Sequence, residues 1–121
     1  MGLDMMIFKK NTENKMPNLL VYWNEANQIR KWFVEHTELK VDDNGRRIPL
    51  TREVLVSLVN DCQKILDDQK LDGKIFDSTD CEDFDDYYSE LNETIRDVGK
   101  VLMTIPDEDF IDGNIYYYDW W

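Results

Sequence analysis

Apolar positions at Leu19, Tyr22, Trp23, Ala26, Ile29 and Phe33 recur at steps of three and four, which is one face of a helix. Pro17 suits a first turn, so the spacing predicts a helix from about residue 17 to Glu38. Trp32 widens its face, and Glu25, Arg30, Lys31 and Glu35 cover the other sides. A second stripe runs through Val54, Leu55, Leu58, Val59, Cys62, Ile65 and Leu66. Thr51 is its expected N-cap, Glu53 favours the helix dipole, and the helix ends near Lys70, before Asp72-Gly73. A third stripe joins Phe84, Tyr88, Leu91, Ile95, Val98, Leu102 and Ile105, with Ser78, Thr79 or Asp80 as cap and Pro106 as stop. Gly99 inside it costs about 1 kcal/mol relative to Ala and is expected to mark close packing.

Between the stripes lie hairpin signals. Asn44-Gly45 tolerates positive φ, and folding the chain there sets Asp43 opposite Arg46, Asp42 opposite Arg47 and Val41 opposite Ile48. So short a ribbon must pack on something else. Lys74-Ile75-Phe76 reads as a short strand, and Phe110 to Ile115 as a second tight turn leading into an aromatic strand, Tyr116 to Trp121. Residues 9 to 17 are polar and without periodicity, so residues 1–16 are expected to be a flexible segment before a single globular domain over 17–121. The predicted class is α+β: three amphipathic helices packed with a small antiparallel sheet drawn from 41–50, 74–76 and 110–121.

Composition narrows the classes. The chain has 121 residues, 42% hydrophobic, with four Trp, six Tyr and five Phe, enough for one folded core. It has no 18-residue apolar run, and its two cysteines cannot build a secreted disulfide framework. The first fifteen residues lack a signal-peptide core, and Met6 breaks the myristoylation motif that Gly2 opens, so a cytoplasmic protein is expected.

The net charge is −12, which disfavours direct contact with nucleic-acid phosphates. It is unevenly placed. Residues 1–70 carry 11 acidic and 11 basic side chains, whereas residues 71–121 carry 15 acidic and three basic, so the whole −12 lies in the second part. Nine of those carboxylates fall between Asp77 and Asp97: Asp77, Asp80, Glu82, Asp83, Asp85, Asp86, Glu90, Glu93 and Asp97, against Arg96 alone. At about 1.5 Å rise per helical residue the segment carries roughly one negative charge per 4 Å, close to the spacing of about 3.4 Å along a nucleic-acid strand. Such a face suits occupation of a basic, nucleic-acid-binding groove; the plainer reading is a solvated helix side.

The string Tyr22-Trp23-x-x-Ala26-Asn27-x-Ile29-x-Lys31-Trp32-Phe33-Val34 resembles a family of small uncharacterised bacteriophage and prophage proteins. Val41-Asp42-Asp43-x-Gly45, Ser78-Thr79 leading to Asp86-Tyr87-Tyr88, and the closing Tyr117 to Trp121 are similar to it in order and spacing, over roughly residues 20 to 121. Arg30 stands where the family string carries His. The resemblance implies a phage accessory protein made inside a bacterial host, and carries over no functional residue.

Enzymatic signatures are not found. There is no Walker loop, Gly-x-Gly-x-x-Gly, Gly-x-Ser-x-Gly or Cys-x-x-Cys. Gly45 would put Lys40 at the first ligand position of a calcium loop, and the 77–86 stretch has no Gly. His36, the one histidine, falls at the end of the first helix, where the dipole favours imidazolium; Cys62 belongs to an apolar stripe and Cys81 to an acidic stretch that makes a poor thiolate. Neither a metal nor a cofactor is expected. Two readings stand for the closing aromatics: core packing, or an interface of Tyr116, Tyr118, Trp120 and Trp121 supporting a homodimer. The expected function is an acidic phage protein that inhibits a host nucleic-acid-binding defence protein, in the manner of an anti-CRISPR nucleic-acid mimic, without touching nucleic acid or membrane. The alternative is a structural or assembly protein acting through the closing aromatics.

Overall fold

The computed structural model describes residues 2–11, 16–68 and 84–121. In chain order these form β1 (Asp4–Lys9), β2 (Asn18–Asn24), α1 (Asn27–His36), β3 (Ile48–Pro49), α2 (Arg52–Asp68), α3 (Phe84–Thr104), α4 (Asp107–Ile111) and β4 (Ile115–Trp120). The strands make one antiparallel sheet in the order β2-β1-β4-β3, and the class is α+β as expected.

The central strand lies in the stretch expected to be flexible. β1 alternates Met5 and Ile7, fully buried, with half-buried Asp4, Met6 and Phe8, and pairs with β2 on one side and β4 on the other. Its apolar run is too short to be diagnostic, and its β4 partner is over a hundred residues away, so no local pattern announces it. Residues 12–15 lie outside the described residues.

The first predicted helix is also corrected. Its front half is β2, whose Val21 and Trp23 face the core. Leu19, Tyr22, Trp23 and Ala26 fit a helical step, yet Leu19, Val21 and Trp23 fit a strand alternation equally well, and the β-branched and aromatic content favours the strand. Two residues make the switch. Glu25 takes φ 55°, rare for a residue with a Cβ, and Ala26 at φ −85°, ψ 68° lets the Asn27 amide donate to the Glu25 carbonyl at 3.0 Å, an inverse γ-turn.

The Asn44-Gly45 ribbon does not form. Gly45 has the expected positive φ of 79° and Arg46 pairs with Asp43 at 2.9 Å, but Ile48 and Pro49 pair with β4. The Gly45 amide donates to the Asp119 backbone carbonyl at 2.9 Å, so the loop docks on β4 instead of folding back on itself. The second turn also differs in part: Gly113 has the positive φ of 74°, but Phe110 and Ile111 belong to α4, and Gly113 and Asn114 cap that helix by donating to the Phe110 and Asp109 carbonyls.

α2 and α3 follow their stripes and pack along each other. Leu55, Leu58, Cys62 and Ile65 are buried on α2, Leu91, Thr94, Val98 and Val101 on α3, and Thr51 Oγ1 accepts from the Val54 amide at 3.2 Å, the cap the sequence predicts. Gly99 has open space where a Cβ would stand, so it marks no close contact. Pro106 ends α3 and opens the short α4. The Lys74 to Phe76 strand and the caps proposed for α3 lie outside the described residues. α1 fills the centre: Phe33 stacks on Tyr117 at 4.4 Å between centroids and meets Trp32 and Trp23 edge-on. The Trp32 indole donates to Asp61 of α2 at 2.7 Å.

Candidate functional site

The helices cover the sheet face bearing Met5, Ile7, Val21, Trp23, Ile115 and Tyr117. The opposite face carries Met6, Phe8, Tyr22, Tyr116, Tyr118 and Trp120, in cross-strand rows set by the register Tyr22–Met6–Tyr118 and Phe8–Tyr116. These rows separate the four aromatics expected at an interface. Tyr116 is buried beneath Phe8, with Arg47 5.2 Å over its ring. Trp121 is clasped by the 43–45 loop: its indole donates to the Asp43 carbonyl, its amide to Asn44 Oδ1, and Asn44 Nδ2 donates to its carbonyl. Tyr118 is half-buried, and Trp120, 59% exposed, lies outermost against Gly45.

The acidic residues divide similarly. Asp77, Asp80, Glu82 and Asp83 lie outside the described residues, and so do the side chains of Asp85 and Asp86. Glu90, Glu93 and Asp97 come together on one side of α3, where that helix runs beneath β2. There they line a groove of about 330 Å³ with Ser89, Tyr22, Trp23, Asn24 and Ala26. A buried bond joins its two walls, the Trp23 indole donating to Thr94 Oγ1 at 2.9 Å. Above it Asp4 accepts from the Tyr22 hydroxyl and from Asn24 Nδ2, and that Asp4 bond holds the phenol above its usual range. Arg96 donates to neighbouring Asp97 at 3.1 Å, an exposed pair of low energy.

A polar centre inside the fold was not read from the sequence. Asp119 is fully buried on the core face of β4. Arg30 Nε donates to its Oδ2 at 2.7 Å, the Tyr117 hydroxyl donates to the same oxygen at 2.7 Å, and the Arg30 fork reaches the carbonyls of Lys40, Val41 and Asp43. Burial first, then this bond, pushes the Tyr117 phenol far above its ordinary range. A signal existed, because Asp119 shares a strand face with Ile115 and Tyr117, and a carboxylate on a core face requires a basic partner. Arg30 also borders a cleft of about 400 Å³ with Leu3, Glu25, Asn27, Val41 and Trp121. Its donors already serve the carboxylate and the loop carbonyls, which makes it a brace between α1, β4 and that loop.

Cys62 and His36 are held in packing contacts, and Cys81 lies outside the described residues. Burial, then the nearby charges of Asp61 and Glu90, pushes the Cys62 thiol up to about 12. His36 stacks on Trp32 at 4.1 Å and bonds its carbonyl through Nδ1. Among the described residues no group of three or more His, Cys, Asp or Glu side chains is placed to hold a metal ion, and no helix is long and apolar enough to cross a membrane. Comparison with family models, curated proteins and solved structures finds no match.

Proposed function

We propose that this chain is a phage-encoded acidic binding protein, acting in the bacterial cytoplasm, that occupies the basic nucleic-acid-binding groove of a host defence protein. The observation that carries the reading is where the counter-charges stand. Lys9, Arg30, Arg46 and Arg52 pair with Asp109, Asp119, Asp43 and Asp107, all away from the α3 groove, where Arg96 makes only an exposed pair with Asp97. Arg30 and Arg52 also serve loop and helix-end carbonyls as braces. Glu93 meanwhile faces solvent beside Glu90 and Asp97, on the helix that follows the most acidic stretch of the sequence. Charge steering gives such a surface fast association that weakens with salt.

The test is a phage challenge in a host whose immunity depends on a nucleic-acid-gripping nuclease such as a CRISPR effector. Expression of the chain is expected to restore plaques, and reversal of Glu90, Glu93 and Asp97 to Lys in a variant with native circular dichroism to abolish the rescue. Unchanged rescue by that variant, or no rescue by the parent, overturns the reading.

Exposed Trp120 and Tyr22, at 59% and 48%, favour a second reading, assembly through the helix-free sheet face. It requires that sedimentation velocity detect a concentration-dependent dimer or oligomer that Trp120→Ser dissolves without loss of fold.

A further inference from the structure

Building on the acidic-surface reading above, we propose that the outer edge of β2 and the groove beneath it receive an extended, lysine- or arginine-bearing segment of another protein, added as a fifth strand. Among the described residues no strand pairs with that side of β2, whose other side is bonded to β1. Natural sheet edges are commonly protected by charge, proline or very short length. β2 runs seven residues, Asn-Leu-Leu-Val-Tyr-Trp-Asn, with no charge and no proline inside it; its register against β1 shifts at Leu20, and Val21 to Asn24 beyond the shift pair regularly. The backbone donors and acceptors on that side, unpaired among the described residues, are the template that strand addition uses.

The groove selects the occupant. A strand laid along β2 points alternate side chains toward the helix layer, where Glu93 and Asp97 stand. Alternate side chains on a strand are spaced about 6.7 Å, and four residues on a helix advance about 6 Å, so cations two residues apart have a spacing comparable to that of Glu93 and Asp97. Asp97 is open to such exchange because its bond is to Arg96, 72% exposed. The same carboxylates argue against a second copy as the occupant. Pairing β2 with β2 about a two-fold axis sets the two α3 helices side by side, with Glu93 and Asp97 of each facing those of the other.

The probe is a fluorescein-labelled Lys-Thr-Lys-Thr-Lys-Thr-Lys peptide, of the same length as β2, titrated with the full chain and read by anisotropy and by amide chemical shifts. Saturable binding is expected, with shifts at residues 18–24, at least about tenfold weaker for Glu93→Lys/Asp97→Lys and for a peptide N-methylated on alternate amides. Binding that ignores N-methylation and leaves residues 18–24 unshifted overturns strand addition while leaving the acidic surface intact. Failure to bind the peptide or polylysine at about 50 mM salt overturns both. A dimer joined through residues 18–24 overturns the proposed occupant in favour of a second copy.

Discussion

Asp119 and Glu93 belong to the same acidic part of the chain, yet one is fully buried and doubly bonded while the other faces solvent on an outer helix turn. The difference is decided by what stands opposite. Asp119 sits on a strand face shared with Ile115 and Tyr117, and Arg30 reaches it from α1 with only 12% of its own side chain exposed. Glu93 sits on the groove side of α3, across from the edge strand of the sheet. A net charge of −12 therefore includes, among the described residues, carboxylates buried in the fold and carboxylates that face solvent. Substitution distinguishes them, because the first kind is felt in stability and the second in association.

The largest effect is expected at the brace. Arg30→Met leaves the Asp119 carboxylate buried without its cation, which costs about 3–5 kcal/mol, a large share of the stability of a domain this size. Urea unfolding followed by tryptophan fluorescence reads it. Adding Asp119→Leu to Arg30→Met is expected to recover much of the loss, since removing both charges also removes the desolvation cost. A loss below about 1 kcal/mol for Arg30→Met would place Asp119 with the solvent-facing carboxylates and erase the contrast.

pH probes the interior and surface groups from opposite ends. The Cys62 thiol, ordinarily near 9.0, is raised to about 12 in the fold, and burial raises the Tyr117 phenol likewise. Groups with raised folded values leave stability intact below the unfolded value and take it away as pH climbs toward the folded one. Stability is thus expected to fall from about pH 9 upward, at up to ~1.4 kcal/mol per pH unit for each group, and Cys62→Ala is expected to flatten part of that slope. On the acid side the signs reverse. Lys9 and Asn114 hold the Asp109 carboxyl below its ordinary 3.8, and the Lys40 amide and Arg46 do the same for Asp43. Their contributions are present above about pH 4 and lost below it, through exposed pairs that give a shallow slope.

Next in size is the bond that seats α3 under β2. Thr94→Val leaves the buried Trp23 indole without its acceptor, costing about 1–3 kcal/mol by denaturant unfolding. The groove between β2 and α3 depends on this bond, so the variant is also expected to weaken peptide capture beyond the loss at Glu93 alone. Additivity of Thr94→Val with Glu93→Lys would show that groove shape and groove charge act independently.

What the sequence revealed follows the range of its interactions. α2 and most of α3 were legible because their stripes, the Thr51 cap and Pro106 act within a few residues of one another. β1 was not, because its pairing with β4 spans the chain, and β2 was misread as the front of a helix because its apolar residues satisfy two periods at once. The Asn44-Gly45 signal predicted the Gly45 conformation correctly and its partner wrongly: the loop receives Arg30, Asp119 and Trp121, all distant in sequence. For the candidate site, the sequence selected Glu90, Glu93 and Asp97 by charge density. The edge of β2 across from them was hidden inside a predicted helix, and so was the groove.

The smallest stability effect is expected where the largest binding effect is proposed. Glu93 is exposed, and Asp97→Lys gives up an exposed pair with Arg96, so each is expected to change unfolding stability by no more than about 0.5 kcal/mol. The two reversals together move the net charge from −12 to −8, which lowers self-repulsion in the folded chain. Neutral or slightly improved stability alongside a steep loss of association with a basic partner is the pattern of a surface kept for contact. A loss of about 2 kcal/mol or more at Glu93 would instead make it a brace like Asp119, and its proximity to Thr94 and the Trp23 indole would supply the reason.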